Sequence, residues 1–264
     1  MPSLDTHCHL DDPRFVPDLG AVLERAAITG VKDIVAPASE ERRWPALYAL
    51  AGRGGWPRVH PAFGVHPWYL REDDNPHSLT ERLSCVLDAA GHRAVAVGEV
   101  GLDFWPGMPE HGVQERLLRA QLELAQARDL PVILHARRSE DRLAKCLRDY
   151  PGLRGVVHGF TGSEQQAERF VGLGLLLGVG GVVTRQSADR LRRVFAAVPV
   201  DRVLIESDAP DQAPSAHAGQ RNEPAFMGET LAVLAKDRAM DALALAELLD
   251  DNARRLFRID GGAP

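Results

Sequence analysis

The chain has 264 residues, a formal net charge of −6, 45% hydrophobic and 26% charged residues, and three cysteines. The apolar content excludes a disordered chain, and three cysteines in a chain this long exclude a disulfide scaffold. The acidic balance excludes bulk electrostatic binding of nucleic acid but leaves room for a local phosphate site.

In chain order, short runs rich in Val, Ile and Leu fall at residues 4–10, 31–38, 59–65, 94–102, 131–136, 155–160, 173–181 and 202–205. Such runs suit strands buried on both faces of a parallel sheet. Segments of helical period alternate with them. Residues 114–129 form the clearest helix, with Leu117, Leu118, Gln121, Leu122 and Ala125 at i, i+3 and i+4 spacings, and Ser163 is an N-cap with a nearby Gln as capping-box partner. Eight such units in ~250–300 residues match a (β/α)8 TIM barrel in the α/β class, a single domain over residues 1–264. An open doubly wound sheet is the alternative. It would need a glycine fingerprint after the first strand, where Asp5-Thr6-His7-Cys8-His9 stands instead. No membrane span is expected: residues 171–183, the longest uncharged apolar stretch, contain five glycines and fall short of the ~18–20 residues required. The amino terminus, Met1-Pro2-Ser3-Leu4-Asp5, has no leader pattern, so a cytoplasmic protein is expected.

In a TIM barrel the active site lies at the carboxyl ends of the strands. Here His7 and His9 close the first run, His66 follows the third, Glu99 and Asp103 the fourth, His135 and Arg137 the fifth, His158 the sixth, and Glu206 and Asp208 the eighth. His7 and His9, two apart on a strand, face the same way and make a natural pair of metal ligands, while Cys8 faces the other way as a small core residue. Core or surface histidines are the alternative for this pair taken alone. Six metal-capable residues on one rim, His7, His9, Glu99, His135, His158 and Asp208, are harder to account for that way, because burying unpaired polar groups costs a few kcal/mol each. The set is too large for one tetrahedral ion and suits two divalent ions, which lower the pKa of a shared water and clamp a hydrolysed bond.

Several segments together resemble the TatD-type metal-dependent hydrolases, most of all their YjjV-like branch. They are Leu4-Asp5-Thr6-His7-Cys8-His9-Leu10, Gly64-Val65-His66-Pro67, Val97-Gly98-Glu99-Val100-Gly101-Leu102-Asp103 and the run from Leu130 to Arg137. Val157-His158-Gly159-Phe160-Thr161-Gly162-Ser163, Leu204-Ile205-Glu206-Ser207-Asp208-Ala209-Pro210, Arg221-Asn222-Glu223-Pro224 and the run from Asn252 to Phe257 complete the series. The resemblance implies a barrel of the metallo-dependent (amidohydrolase-like) hydrolase superfamily with two divalent cations. It also implies hydrolysis of ester bonds, phosphodiesters above all, by a hydroxide shared between the ions, as in a DNase or 3′-5′ exonuclease. His7, His9 and Asp208 would then hold one cation, His135 and His158 the other, with Glu99 bridging and Asp208 the general base. His66 is expected outside the metal shell, against the scissile phosphate; a strand-end histidine bonded to backbone is its alternative. Gly159 and Ser207 stand where many members have Cys and Thr.

Arg137 is a candidate phosphate clamp or, alternatively, a salt-bridge partner of Asp103 or Glu206. Arg221 and Asn222 are expected to line the cleft. Arg190, Arg192 and Arg193, and Arg254, Arg255 and Arg258, read as solvated helix faces. Trp68 and Trp105 are placed to stack a base or shape the pocket, whereas Trp44 and Trp56 are expected to pack. The expected substrate is a phosphoester, such as a DNA end or single strand, and the expected state is a monomer. A mixed N/O set fits Zn, Mn, Mg, Ni or Fe. Two other functions fit the same rim: a carboxylic-ester or amide hydrolase, such as a D-aminoacyl-tRNA deacylase, and a metal-stabilised binding protein without turnover.

Overall fold

The computed structural model describes residues 1–55 and 57–260, so the expected packing of Trp56 lies outside the described residues. Eight parallel strands pair in sequential order: β1 (Leu4–Asp5), β2 (Asp33–Pro37), β3 (Arg58–Phe63), β4 (Ala96–Asp103), β5 (Val132–Arg137), β6 (Gly155–Val157), β7 (Leu176–Val179) and β8 (Val203–Ile205). Backbone hydrogen bonds close the sheet into a barrel: Thr6 N–H donates to Ile205 O, Asp208 N–H to His7 O at 2.9 Å, and His9 N–H to Ala209 O at 2.8 Å. The barrel expectation therefore holds and the open sheet does not.

Helices α1 (Leu19–Ile28), α2 (Trp44–Ala51), α3 (Pro76–Ala90), α4 (His111–Ala127), α5 (Glu140–Leu147), α6 (Glu164–Gly172) and α7 (Asp189–Ala197) each follow one strand, and α8 (Met227–Asp237) and α9 (Ala242–Phe257) follow β8. Ser163 and Gln166 form the expected capping box on α6. Helix α4 starts three residues before the predicted one, because the Glu110 side chain accepts the Gly112 N–H and caps it there.

One buried residue from every strand fills the barrel: Leu4, Val35, Ala62, Ala96, Ile133, Val156, Leu176 and Leu204. Leu256 and Phe257 of α9 and the following Ile259 join this inner cluster, and the alternate strand residues pack outward against the helices. Period two then dictates the site. Two residues beyond Ile133 and Val156 come His135 and His158, and four beyond Ala62 and Leu204 come His66 and Asp208. Glu99 lies three beyond Ala96, an odd step reconciled by a register shift between Val97 and Val100 that re-aims the side chain. Gly101 permits the close approach of β4 to β5 there, since a Cβ would sit 2.1 Å from His135 O.

The arginine clusters lie on solvated faces as expected, with Arg190, Arg193, Arg255 and Arg258 exposed and Arg192 and Arg254 half-buried, but several are also paired: Arg192 with Asp237, Arg190 with Thr161 O, Arg254 with buried Asp33 and Arg258 with Asp129. Their partners lie far away in sequence, which a local charge pattern does not reveal. Trp44 packs as expected, buried with its indole N–H on Gly64 O and perpendicular to Phe63.

Candidate metal centre

Glu99 is 2% exposed and stands at the centre of the upper rim, with imidazoles on both carboxylate oxygens. Oε1 lies 2.7 Å from His158 Nε2, 3.0 Å from His135 Nδ1 and 3.3 Å from His66 Nε2. Oε2 lies 3.3 Å from His9 Nε2 and 3.4 Å from His7 Nε2. Asp208 joins the second group, with Oδ1 3.6 Å from His7 Nε2 and 3.8 Å from His9 Nε2. The carboxylate thus divides the cluster into two halves, one oxygen to each.

Charge and burial oppose each other throughout. Burial alone would raise Glu99, but the imidazoles of His158 and His66 and hydrogen bonds from His135 and His158 hold it well below the usual carboxylate range. Burial and the stacked His158 ring, 3.9 Å away, hold His7 well below the ordinary imidazole value. Against their burial, Glu99 and Asp208 push His9 up to about 9 and His158 up to about 10. Asp208 is raised by burial and by Glu99, with His158 and His9 opposing.

The residues fit divalent cations. His7 Nε2 and His9 Nε2 are 3.1 Å apart, and His135 Nδ1 and His158 Nε2 are 3.3 Å apart, so ring nitrogens that serve as acceptors when neutral face each other in pairs. A cation held by the carboxylate and the imidazoles would satisfy these lone pairs.

Outer contacts assign the tautomers. His9 Nδ1 lies 3.2 Å from Pro37 O and donates to it, leaving Nε2 free as a ligand. His135 Nε2 donates to Asp103 Oδ2 at 3.1 Å, leaving Nδ1 free. His66 is the reverse. Its Nδ1 accepts the Trp68 N–H at 3.1 Å, so in the neutral ring Nε2 carries the proton and acts as a donor. Burial, with His135 nearby, lowers His66 to about 4 although Glu99 opposes, so the ring is neutral at pH 7. In this it differs from His9 and His135, whose outer contacts leave the nitrogen facing Glu99 unprotonated.

A cavity of about 460 Å³ opens above the cluster, and Arg137 lines it 3.8 Å from Asp103 with its guanidinium over the Trp105 ring. Glu206, fully buried, accepts the Gly159 N–H and lies 3.8 Å from His158 Nδ1 rather than beside Arg137. Burial, with Asp208 adding to it, pushes Glu206 up to about 8. Arg221 and Asn222 are not in the lining of that cavity, but Arg221 lines an adjoining one that shares Arg14, Asp211 and Gln212 with it. Arg221 is held by Asp18 and Glu223, and the buried Asn222 spends its amide on Ser207 O and Asp211 O. Asn222 thereby fixes the loop that carries Asp208, which has a left-handed φ of 55°.

One contributor, Gln212, and the full role of another, Asp103, escaped sequence reasoning. Gln212 Nε2 donates to Asp208 Oδ2; its spacing of four from Asp208 in a Pro-rich loop was the only signal. Asp103 accepts the Trp68 indole N–H at 2.6 Å and the Trp105 N–H at 2.8 Å besides binding His135, which makes it a hub between strand end and loops. Cys8 is a buried core residue as expected, and all three cysteines are free. Among the described residues no helix is long and apolar enough to cross a membrane.

The family model described as TatD related DNase matches residues 4–258. The chain is 43% identical to the Escherichia coli protein named uncharacterized metal-dependent hydrolase YjjV, over 97% of this chain and 98% of that one. The crystal structure of YjjV superposes with a TM-score of 0.90, covering 97% of this chain and 98% of that one at 42% identity. A Rahnella protein named 3′-5′ ssDNA/RNA exonuclease TatD is 34% identical, over 95% of this chain and 96% of that one. An organophosphate hydrolase engineered from a lactonase, 14% identical with a TM-score of 0.64 and 97% of this chain covered against 95% of its own, shares the fold alone. Sequence motifs, barrel and clustered ligands agree: the chain belongs to the TatD family of metal-dependent hydrolases.

Proposed function

We propose that the chain hydrolyses phosphodiester bonds at the ends of single-stranded nucleic acid, using two divalent cations. His7, His9 and Asp208 would hold one and His135 and His158 the other, with Glu99 between them. The division of Glu99 into one oxygen per histidine pair carries this reading. The exonuclease name of the Rahnella relative supports the substrate class. When bound, the cations lower the pKa of a water and neutralise charge on phosphoryl oxygens.

The chain's own residues supply the rest. Asp208, raised by burial, takes the proton of the attacking water. The amide of Gln212 orients its second oxygen. His66 donates from Nε2 to a phosphoryl oxygen, a role its tautomer prepares. Arg137 binds another such oxygen from the cavity wall. Free thiols at Cys8, Cys85 and Cys146 suit the reducing cytoplasm.

The test compares the metal-loaded protein on single-stranded DNA, an aryl phosphodiester and an aryl carboxylic ester. Turnover of the first two, abolished by Asp208→Asn with the fold retained, supports the reading. Turnover of the carboxylic ester alone overturns it in favour of carboxylic-ester hydrolysis, and absence of all turnover leaves a binding protein.

A further inference from the structure

Among the described residues, the exposed Trp, Tyr and Phe side chains are Trp68, Tyr69 and Trp105, at 49%, 37% and 41% exposure. Trp68 and Tyr69 line the cavity above the candidate ligands, and Trp105 lies beside it, carrying Arg137, which also lines it. Every other described tryptophan, tyrosine and phenylalanine is at least partly covered. Exposed aromatic surface gathered at one mouth marks a ligand contact.

The two tryptophans are engaged differently. Trp105 has the guanidinium groups of Arg137 and Arg138 over its ring, 3.8 and 4.1 Å from the centroid. Its face is thus given to arginine. Trp68 is pinned at its edge: the indole N–H donates to Asp103 Oδ2 at 2.6 Å and the backbone N–H to His66 Nδ1 at 3.1 Å. The ring stands perpendicular to His66, 5.4 Å between centroids, and about half of it remains open. Only the His66 imidazole separates it from Glu99, 3.3 Å beyond. A planar group covering Trp68 would therefore belong to the residue next to the reacting centre.

Resting on the phosphodiesterase reading above, we propose that Trp68 is the stacking platform for the nucleobase next to the scissile phosphate, while Trp105 stacks no base and instead holds Arg137 on that phosphate. Both tryptophans are tied to a single carboxylate, Asp103, which fixes the Trp68 ring through its indole N–H and anchors Trp105 through its backbone. A platform that costs no ordering on binding retains its full stacking gain. Every base offers a π-face, so the platform distinguishes a nucleotide from an abasic residue without reading base identity.

The experiment uses two single-stranded oligonucleotides, one normal and one with abasic residues at its two 3′-terminal positions. They are assayed on metal-loaded wild type, Trp68→Ala and Trp68→Phe. On the normal strand Trp68→Ala raises KM roughly 5- to 150-fold with kcat little changed, the range of one lost base stack. On the abasic strand it matches wild type. Trp68→Phe keeps an aromatic face but loses the indole N–H, and restores most of the KM. An equal effect of Trp68→Ala on both strands, no effect on either, or a Trp68→Phe variant as weak as Trp68→Ala overturns the platform. Failure of the underlying reading looks different: wild type then leaves both strands intact while hydrolysing an aryl carboxylic ester, and the platform falls with it.

Discussion

Asp103→Asn tests how the outer contacts support the metal centre. The carboxylate is fully buried and accepts from Trp68 Nε1 at 2.6 Å, Trp105 N at 2.8 Å and His135 Nε2 at 3.1 Å, with Arg137 3.8 Å away. Burial alone would raise it, but hydrogen bonds from His135, Trp68 and Trp105 hold it at about 2. Asparagine has nearly the same shape. Its remaining oxygen can keep the Trp105 N–H, but its NH2 then meets two donors, the indole N–H and His135 Nε2–H. One hydrogen bond to a charged acceptor contributes ~1.5–3 kcal/mol, and the indole, half-exposed, recovers part of its loss from water. A net loss of about 2 kcal/mol follows, which for a chain this long lowers Tm by roughly 4 °C. The larger effect falls on the cation. With His135 Nε2–H unpaired, the ring loses its preferred tautomer and orientation, and outer-contact losses of this kind weaken metal binding by ~10–100-fold. Isothermal titration with a divalent cation reads the affinity and calorimetric melting of the metal-free protein reads Tm. Unchanged affinity together with unchanged Tm would refute the assignment of Asp103 as the anchor of His135.

Three further outcomes follow from other contacts. Asp33 ties β2 to Arg58, His60 and Arg254; burial would raise it, but hydrogen bonds from His60, Arg58 and Arg254 hold it well below its ordinary value. A lowered carboxylate stabilises above its unfolded pKa of ~3.9 and loses that contribution below it. Asp33→Asn should therefore cost about 3 kcal/mol in denaturation at pH 7, where its partners can partly re-solvate, and the gap to wild type should narrow as the pH falls below ~4; a gap independent of pH contradicts this. In Gly178→Ala the new Cβ would sit 2.3 Å from Glu206 Oε2, so a loss of ~1–3 kcal/mol is expected by chemical denaturation, and an unchanged midpoint would show that Glu206 moves freely. Cleavage of single-stranded DNA should have a shallow salt dependence, because Arg14 and Arg43 at the cavity are already paired with Asp12, Asp211 and Glu40. With two or three phosphates gripped, log kcat/KM should fall with log[salt] at a slope near −2, whereas a slope steeper than about −5 indicates an extended track.

The barrel and most of the rim were legible because both follow from period-two patterning. The residue that points inward at Ile133 or Val156 is followed, two positions on, by one that points into the site. Strand limits were less legible. Residues 173–181 read as one strand, yet pairing stops at Val179 and Gly181–Thr184 form a 3-10 turn, since a glycine-rich apolar run hides where hydrogen bonding ends. The first strand shrank from residues 4–10 to Leu4–Asp5, with His7 and His9 held by single backbone bonds to the segment after β8. Arg221 pairs with Asp18, 203 residues away, a contact that nothing local announces. The role of Asp103 was hidden for the same reason, as its donors come from three separate strand ends.

The central claim is that Glu99 joins two cation sites. Elemental analysis of extensively dialysed wild type and Glu99→Gln protein, read beside the melting temperature of each metal-free form, addresses it most directly. Two divalent cations per chain in the wild type, falling to one or none in a variant that remains folded, is the result predicted. A single cation in the wild type, or two retained without the Glu99 carboxylate, would contradict it.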